Sequence, residues 1–224
     1  MSQTELKPEA LPEEQKPSKK VKKSVGREIL EWVLSLVAAL AIVLVIQTFL
    51  FTLIKVDGHS MDTTLADGER LFVTVADVRF GDIERGDVVI CNYPGRTSKF
   101  LGLIDRPTYF VKRCVAVGGD QVYREQGITH VVYETTDENG ETVTVDEPLD
   151  APFVAYYYPS DDYEPYTLQE NEYFVVGDNR GNSHDSRDWN DSDPRNDVGP
   201  ITKDMLVGHV RCVIWPLGSI RNVE

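Results

Sequence analysis

The chain has 224 residues, enough for a membrane element plus one sizeable folded unit. Its formal net charge is −14, and beyond Ile54 there are 31 Asp and Glu against 16 Lys and Arg. A surface of that sign repels nucleic acid, so a nucleic-acid function is excluded.

Residues 1–27 are assigned to a disordered cytoplasmic tail. The first 24 are rich in Lys, Glu, Pro and Ser and contain no aromatic, and helical structure is expected to begin near Gly26. The next span, 28–54, is assigned to a transmembrane helix. No charge occurs from 32 to 54, and a helix of that length reaches about 34 Å at about 1.5 Å per residue, enough to cross a bilayer. Lys19, Lys20, Lys22, Lys23 and Arg27 precede it, while Asp57, Asp62 and Asp67 follow Lys55, so the amino side is expected in the cytoplasm and the bulk of the chain outside. A cleaved secretory signal would have an apolar core of about 7 to 15 residues and a small-x-small end. Here Phe49 to Ile54 runs straight into Lys55, and no polar face marks a soluble core helix, so a retained anchor is expected.

Past Ile54 the pattern changes to short runs rich in β-branched and aromatic residues, broken by Gly and Asp: ERLFVTV, GDVVICNY, TYFVKRCVAV, THVVYETT, ETVTV, NEYFVVGD and VGHVRCVIW. The fold expected is mostly β: an antiparallel-sheet ectodomain over 55–224, preceded by one membrane helix. The acidic, Tyr-rich stretch at about 121–170 reads as a smaller inserted β lobe, with a hairpin signal at DENG (137–140) and a loop at YYYPSDDYEPY (156–166). Cys91, Cys114 and Cys212 sit in apolar runs and read as buried small hydrophobes; an odd number cannot pair completely within one chain.

Chemistry concentrates in three places. GHSMDTTL (58–65) carries one serine, Ser60, six residues past the apolar segment. In YFVKRCVAVGGD, alternation puts Phe110, Lys112, Cys114 and Ala116 on one face and Val111, Arg113, Val115 and Val117 on the other. With apolar neighbours on its face, Lys112 is placed to lose its proton and to deprotonate a serine; the alternative is that Lys112 snorkels to water and Arg113 pairs with an acid. Third, GDNRGNSHDSRDW (177–189) packs Asp178, Arg180, Ser183, Asp185, Ser186, Arg187 and Asp188 behind the apolar strand YFVV, either as a solvated turn or as support for a site, with Ser183 orienting the lysine amine and Asp185 and Arg187 forming a charged strut.

A Ser-His-Asp triad is the rival. His184 precedes Asp185 and His59 precedes Ser60, but adjacent residues in an extended strand point to opposite faces, so both pairings need sharp backbone turns. His130 and His209 lie in β-like runs and read as structural or surface groups. No zinc spacing occurs; neither a metal nor a cofactor is expected.

The boxes VDGHSMDTTL (56–65), GDVVI (86–90), VKRCVAVGGD (111–120) and GDNRGNSHDSRDW (177–189), in that order behind an amino-terminal membrane helix, resemble those of a type I signal peptidase in its Gram-positive-like form. The resemblance covers roughly 30–216. It implies a membrane serine endopeptidase that removes amino-terminal signal peptides from secretory preproteins after a small-x-small motif, through an acyl-enzyme. Its partners would be those preproteins, the lipid bilayer and the nearby secretion translocon, with no nucleic acid. Ser60 would be the nucleophile and Lys112 the general base. Ser183 would hydrogen-bond the lysine, Asp185 and Arg187 would stabilise the loop, and the Ser60 backbone N–H would serve the oxyanion hole. Gly58 stands where some members offer a second, hydroxyl donor, and Thr63 stands where the family pattern has proline. Two other readings remain. A self-cleaving repressor-type Ser-Lys protease fits poorly with an anchor and an acidic ectodomain, and a catalytically inactive, membrane-tethered β binding module has only Thr63 in its favour.

Overall fold

The computed structural model describes residues 25–100, 104–149, 162–190 and 196–223. The chain divides into two compact units between Ile42 and Val43. Helix α1, Val25–Phe49, begins in the first and ends in the second; it is apolar and long enough to cross a membrane, and none of its residues is buried. The disorder expected of the tail lies outside the described residues for 1–24, while Val25, Gly26 and Arg27 belong to the helix.

The helix stops sooner than its apolar composition suggested. Residues Phe51–Lys55 form strand β1, paired antiparallel with β2, Arg70–Thr74, in the register Phe51 to Thr74 through Lys55 to Arg70. Leu50 N–H closes the last helical turn on Ile46 O, and Leu50 O then accepts from Val75 N–H. Phe51, Thr52 and Ile54 are aromatic or β-branched, and pairing with β2 satisfies their backbone. Apolarity alone could not distinguish that strand from more helix.

After a fourteen-residue connection from β1 the chain returns in β2, then makes the short helix α2, Ala76–Phe80, and the strands β3, Val88–Phe100, and β4, Ile104–Ala116. There follow β5, Gln121–Glu125, β6, Ile128–Thr136, β7, Thr142–Pro148, β8, Tyr163–Thr167, and β9, Glu172–Val176. Last come β10, Ile201–Thr202, β11, Leu206–Trp215, and β12, Arg221–Asn222. One antiparallel sheet runs β1-β2-β11-β3-β4-β9-β10, with β12 on β11; the other runs β7-β6-β5-β8. The stretch read as an insertion at about 121–170 thus carries the second sheet. Of the loop expected at 156–166, the part from Tyr163 onward is strand β8, and 150–161 lie outside the described residues.

Period-2 alternation sorts β3 between two cores. Val88 and Ile90 pack with Leu71, Val73, Val210 and Val213 on one face, while Val89 and Cys91 pack with Cys114, Val175 and Ile201 on the other. A strand covered on both faces needs the continuous apolar run VVIC. A third cluster joins the sheets: Ala116, Phe174 and Val176 from the large one meet Val122, Val131 and Tyr163 from the small one. All three cysteines are free; Cys91 and Cys114 are buried and Cys212 is half-buried.

Candidate active site

Ser60 sits on the turn that follows β1. Gly58, at φ +115°, takes a conformation that L side chains rarely adopt, and its N–H donates to Asp67 Oδ1 at 3.0 Å. On the far side, Met61 and Leu65 are buried in the first core, so the serine is held between an anchored residue and a glycine bend.

Lys112 comes from the middle of β4, where its register partner on β3 is Val89. Its face is the buried one: Lys112, Cys114 and Ala116 are buried, while Val111, Arg113 and Val115 are half-buried. Only 2% of Lys112 is exposed, and its Nζ lies 2.8 Å from Ser60 Oγ. Burial pulls the amine below the usual lysine range, opposed chiefly by the negative charge of Asp185.

The loop after β9 backs this pair. Asp185 and Arg187 are fully buried and joined by two side-chain bonds, Arg187 Nε to Asp185 Oδ1 and Nη2 to Oδ2, both 2.9 Å, and by Arg187 N–H to Oδ1 at 3.2 Å. Gly177 N–H donates to Asp185 Oδ2 at 2.9 Å and Arg187 Nη2 also donates to Arg180 O at 2.9 Å. The Arg187 guanidinium and these donors hold the Asp185 carboxyl below its usual range despite burial, and the Ser183 hydroxyl is among its hydrogen-bond partners. Ser183 also packs against Gly177: a Cβ at that glycine would meet Ser183 Cβ at 2.6 Å and Ser60 O at 2.5 Å.

Several supporting bonds were not assigned from the sequence, although alternation allows Arg113 to pair with an acid and the loop contains Asp178. Asn179 N–H donates to Ser60 O at 3.0 Å, and Asn179 Nδ2 donates to His59 O at 2.9 Å. Arg113, the cation on the other face of β4, grips Asp178, and Thr64 Oγ1 donates to the same carboxylate at 2.5 Å. The available signal was the charge on the outer face of an otherwise apolar strand, and nothing in the spacing named its partner.

The histidines are engaged elsewhere. His184 Nδ1 pairs with Asp188 at 2.9 Å, not with Asp185, and His59 pairs with Asp62 at 3.2 Å. His130 meets Asp146 on the small sheet, and His209 lies between Asp77 and Asp87. Among the described residues, no group of three His, Cys, Asp or Glu could hold a metal.

An open groove of about 590 Å³ runs beside these elements, lined by Thr52, Leu53 and Ile54 of β1, Tyr109 of β4, and Val78 and Val207 among others. Its walls therefore include the strand that leads to Ser60 and the strand that carries Lys112.

Residues 29–215 match the model of a known family, described as signal peptidase, peptidase S26. The chain belongs to the signal peptidase family, peptidase S26. It is 31% identical over 82% of its length to signal peptidase I S of Bacillus subtilis (strain 168), covering 87% of that protein. Signal peptidase I T of the same strain is 33% identical and a signal peptidase I of Bacillus amyloliquefaciens 34%, each matched over 82% of this chain and 83% of its own. A solved signal peptidase I from Enterococcus faecalis V583 aligns with 57% of this chain and 96% of its own at 19% identity, with a TM-score of 0.30. As a member of the signal peptidase family the chain is a peptidase acting on the signal peptides of preproteins, and its apolar helix fits a single-pass membrane anchor.

Proposed function

We propose that this signal peptidase works through a Ser-Lys dyad, with Ser60 as nucleophile and Lys112 as general base. The observation that carries the reading is the 2.8 Å approach of Lys112 Nζ to Ser60 Oγ, with the amine buried. A neutral amine accepts the hydroxyl proton as Oγ bonds to the scissile carbonyl carbon. The Ser60 backbone N–H then faces the developing oxyanion. When the C–N bond breaks, the Lys112 ammonium gives its proton to the leaving amine and the substrate remains as a Ser60 ester. Water, deprotonated by the same Nζ, attacks that ester, and collapse of the second tetrahedral intermediate returns a proton to Oγ. Ser183, Asp185 and Arg187 support the lysine and the loop behind it.

The cleavage motif is small-x-small, read by shallow sites in the groove beside β1, where a substrate strand lies against that edge of the large sheet. The basic residues before the helix favour a cytoplasmic amino terminus and a catalytic region outside the membrane; work close to the secretion translocon follows from its substrates being secretory preproteins. A tethered enzyme and a tethered substrate share one surface, which raises their effective concentration.

The test uses the full chain in detergent with a preprotein substrate. Ser60→Ala and Lys112→Ala are each expected to abolish cleavage while circular dichroism and thermal melting show a folded protein. Normal cleavage by either folded variant removes the dyad.

A further inference from the structure

The small sheet contributes neither Ser60 nor Lys112, yet it and the residue just past β7 meet the loop that backs them at three points, two hydrogen bonds and one aromatic contact. Arg124, on β5, is only 2% exposed; its Nη1 donates to Arg187 O at 3.4 Å and its Nη2 to Gly127 O at 3.1 Å. The crossing is made in reverse by Arg180, which donates from the loop to Leu149 O, just past β7. Trp189 ends the loop against Tyr163 and Tyr166 of β8, with ring centroids 5.0 and 5.1 Å apart. Beneath these contacts lies the apolar cluster shared by the two sheets.

Packing alone would call for apolar side chains here, because burying a guanidinium carries a desolvation cost that its partners must offset. Arg124 meets that cost on the main chain of Arg187, and the side chain of Arg187 is the one that grips Asp185. Asp185 in turn receives Gly177 N–H, and Gly177 lies against Ser60 O and Ser183. A shift of the Arg187 backbone therefore passes through two bonded contacts to the serine and to the setting of the lysine.

We propose that the β5 to β8 lobe is a brace for the catalytic loop, and that Arg124 is a positioning residue acting on Ser60 and Lys112 through Arg187, Asp185 and Gly177. The proposal rests on the dyad reading for its kinetic consequences, but its structural half stands without it.

Arg124→Gln in the full chain is expected to lower kcat about tenfold or more with KM within about twofold, since misplacement of a catalytic group acts on the chemical step. Looser packing admits water to Lys112, so the acid limb of the pH profile moves toward higher pH. Arg124→Lys, which keeps the charge without the fork, is expected to recover part of kcat. Amide hydrogen exchange, independent of cleavage, is expected to speed up in 177–189 and to stay unchanged in β2 and β11. Trp189→Leu, which loosens the same contact from the other side, gives the same pattern if the glutamine variant does not fold. Unchanged exchange in 177–189 overturns the brace whatever the outcome at Ser60 and Lys112. A fall in activity that only tracks the folded fraction, with an unmoved pH profile, reduces Arg124 to a stabilising residue and overturns the positioning role.

Discussion

Arg113 holds Asp178 through two nearly parallel bonds, Nε to Oδ1 at 2.9 Å and Nη2 to Oδ2 at 2.7 Å. The same guanidinium donates Nη1 to Gly86 O at 2.6 Å, and Thr64 completes the carboxylate. Four segments distant in sequence are thereby pinned together: the turn before β3, the strand of Lys112, the turn of Ser60, and the loop after β9 that carries Asp178. Arg113 and these donors keep Asp178 ionised, its carboxyl below the usual range although burial opposes that. Asp178→Asn keeps the shape and removes the charge, and is expected to destabilise the protein by about 2 kcal/mol, the scale of a hydrogen-bonded charged pair. A double-mutant cycle with Arg113→Gln and Thr64→Val, read by thermal unfolding, checks it; additive effects would show that the three groups are not coupled.

Lys112 yields a pH dependence with a definite sign. Burial favours the neutral amine, so its folded pKa lies below the ordinary value of 10.5. Catalysis through the free amine therefore rises with pH through that lowered pKa, and a profile governed by a group near 6.5 and lost in His184→Ala would assign the base to histidine instead. Stability follows the same proton. Between the folded and unfolded values the unfolded chain binds the extra proton, so this group's cost is full below the folded pKa and fades as pH rises toward 10.5. Lys112→Met is consequently expected to be inactive and to melt at a higher temperature at neutral pH, the gain shrinking in alkaline buffer. A variant that melts lower at neutral pH would show that the amine is well solvated in the native state.

Much of this site could be read from the sequence, for local reasons. Strict alternation identified the face of Lys112, and that face is the buried one because Cys114 and Ala116 share it. The order of the boxes brought Ser60, Lys112 and the 177–189 loop forward together. Three things were beyond local pattern. The helix-to-strand change after Phe49 is decided by pairing with β2, and an apolar run carries no mark of its partner. Likewise β5, β8 and the short strands β10 and β12 are fixed by neighbours across a sheet. The partner of Arg113 is 65 positions away, and in a chain so rich in carboxylates the spacing could not select Asp178.

Thr63 stands where the resemblance leads one to expect proline, and its backbone is unusual. Thr64 N–H bonds to Met61 O at 3.0 Å, closing a four-residue turn in which Thr63 is third and has φ +96°. A type II turn requires positive φ at that position and favours glycine there; a β-branched residue is strained. Thr63→Gly is expected to stabilise the chain by about 1 kcal/mol, the relief exceeding the added freedom of the unfolded state. Thr63→Pro fixes φ near −65°, so in this chain it should lower both stability and activity. Denaturant midpoints and cleavage rates for the pair decide the matter: if proline is the better residue, φ at this position is negative and the strain assigned to Thr63 does not exist.

Gly177 supplies the most local test of the site. It follows directly after β9, whose Phe174, Val175 and Val176 are fully buried, and is itself buried. What it contributes is absence: an added methyl would stand 2.5 Å from Ser60 O and 2.6 Å from Ser183 Cβ, closer than side-chain carbons approach such atoms. One neighbour is backbone and cannot rotate away, so the turn of Ser60 must move. Gly177→Ala is expected to fold, losing about 1 to 3 kcal/mol as overpacking does, while cleavage falls about a hundredfold because the serine leaves its lysine. Adding Ser183→Ala removes the hydroxyl but leaves the clash with Ser60 O, so activity should stay low. Recovery in the double variant would place the obstruction at Ser183 alone and release Ser60 from dependence on this glycine.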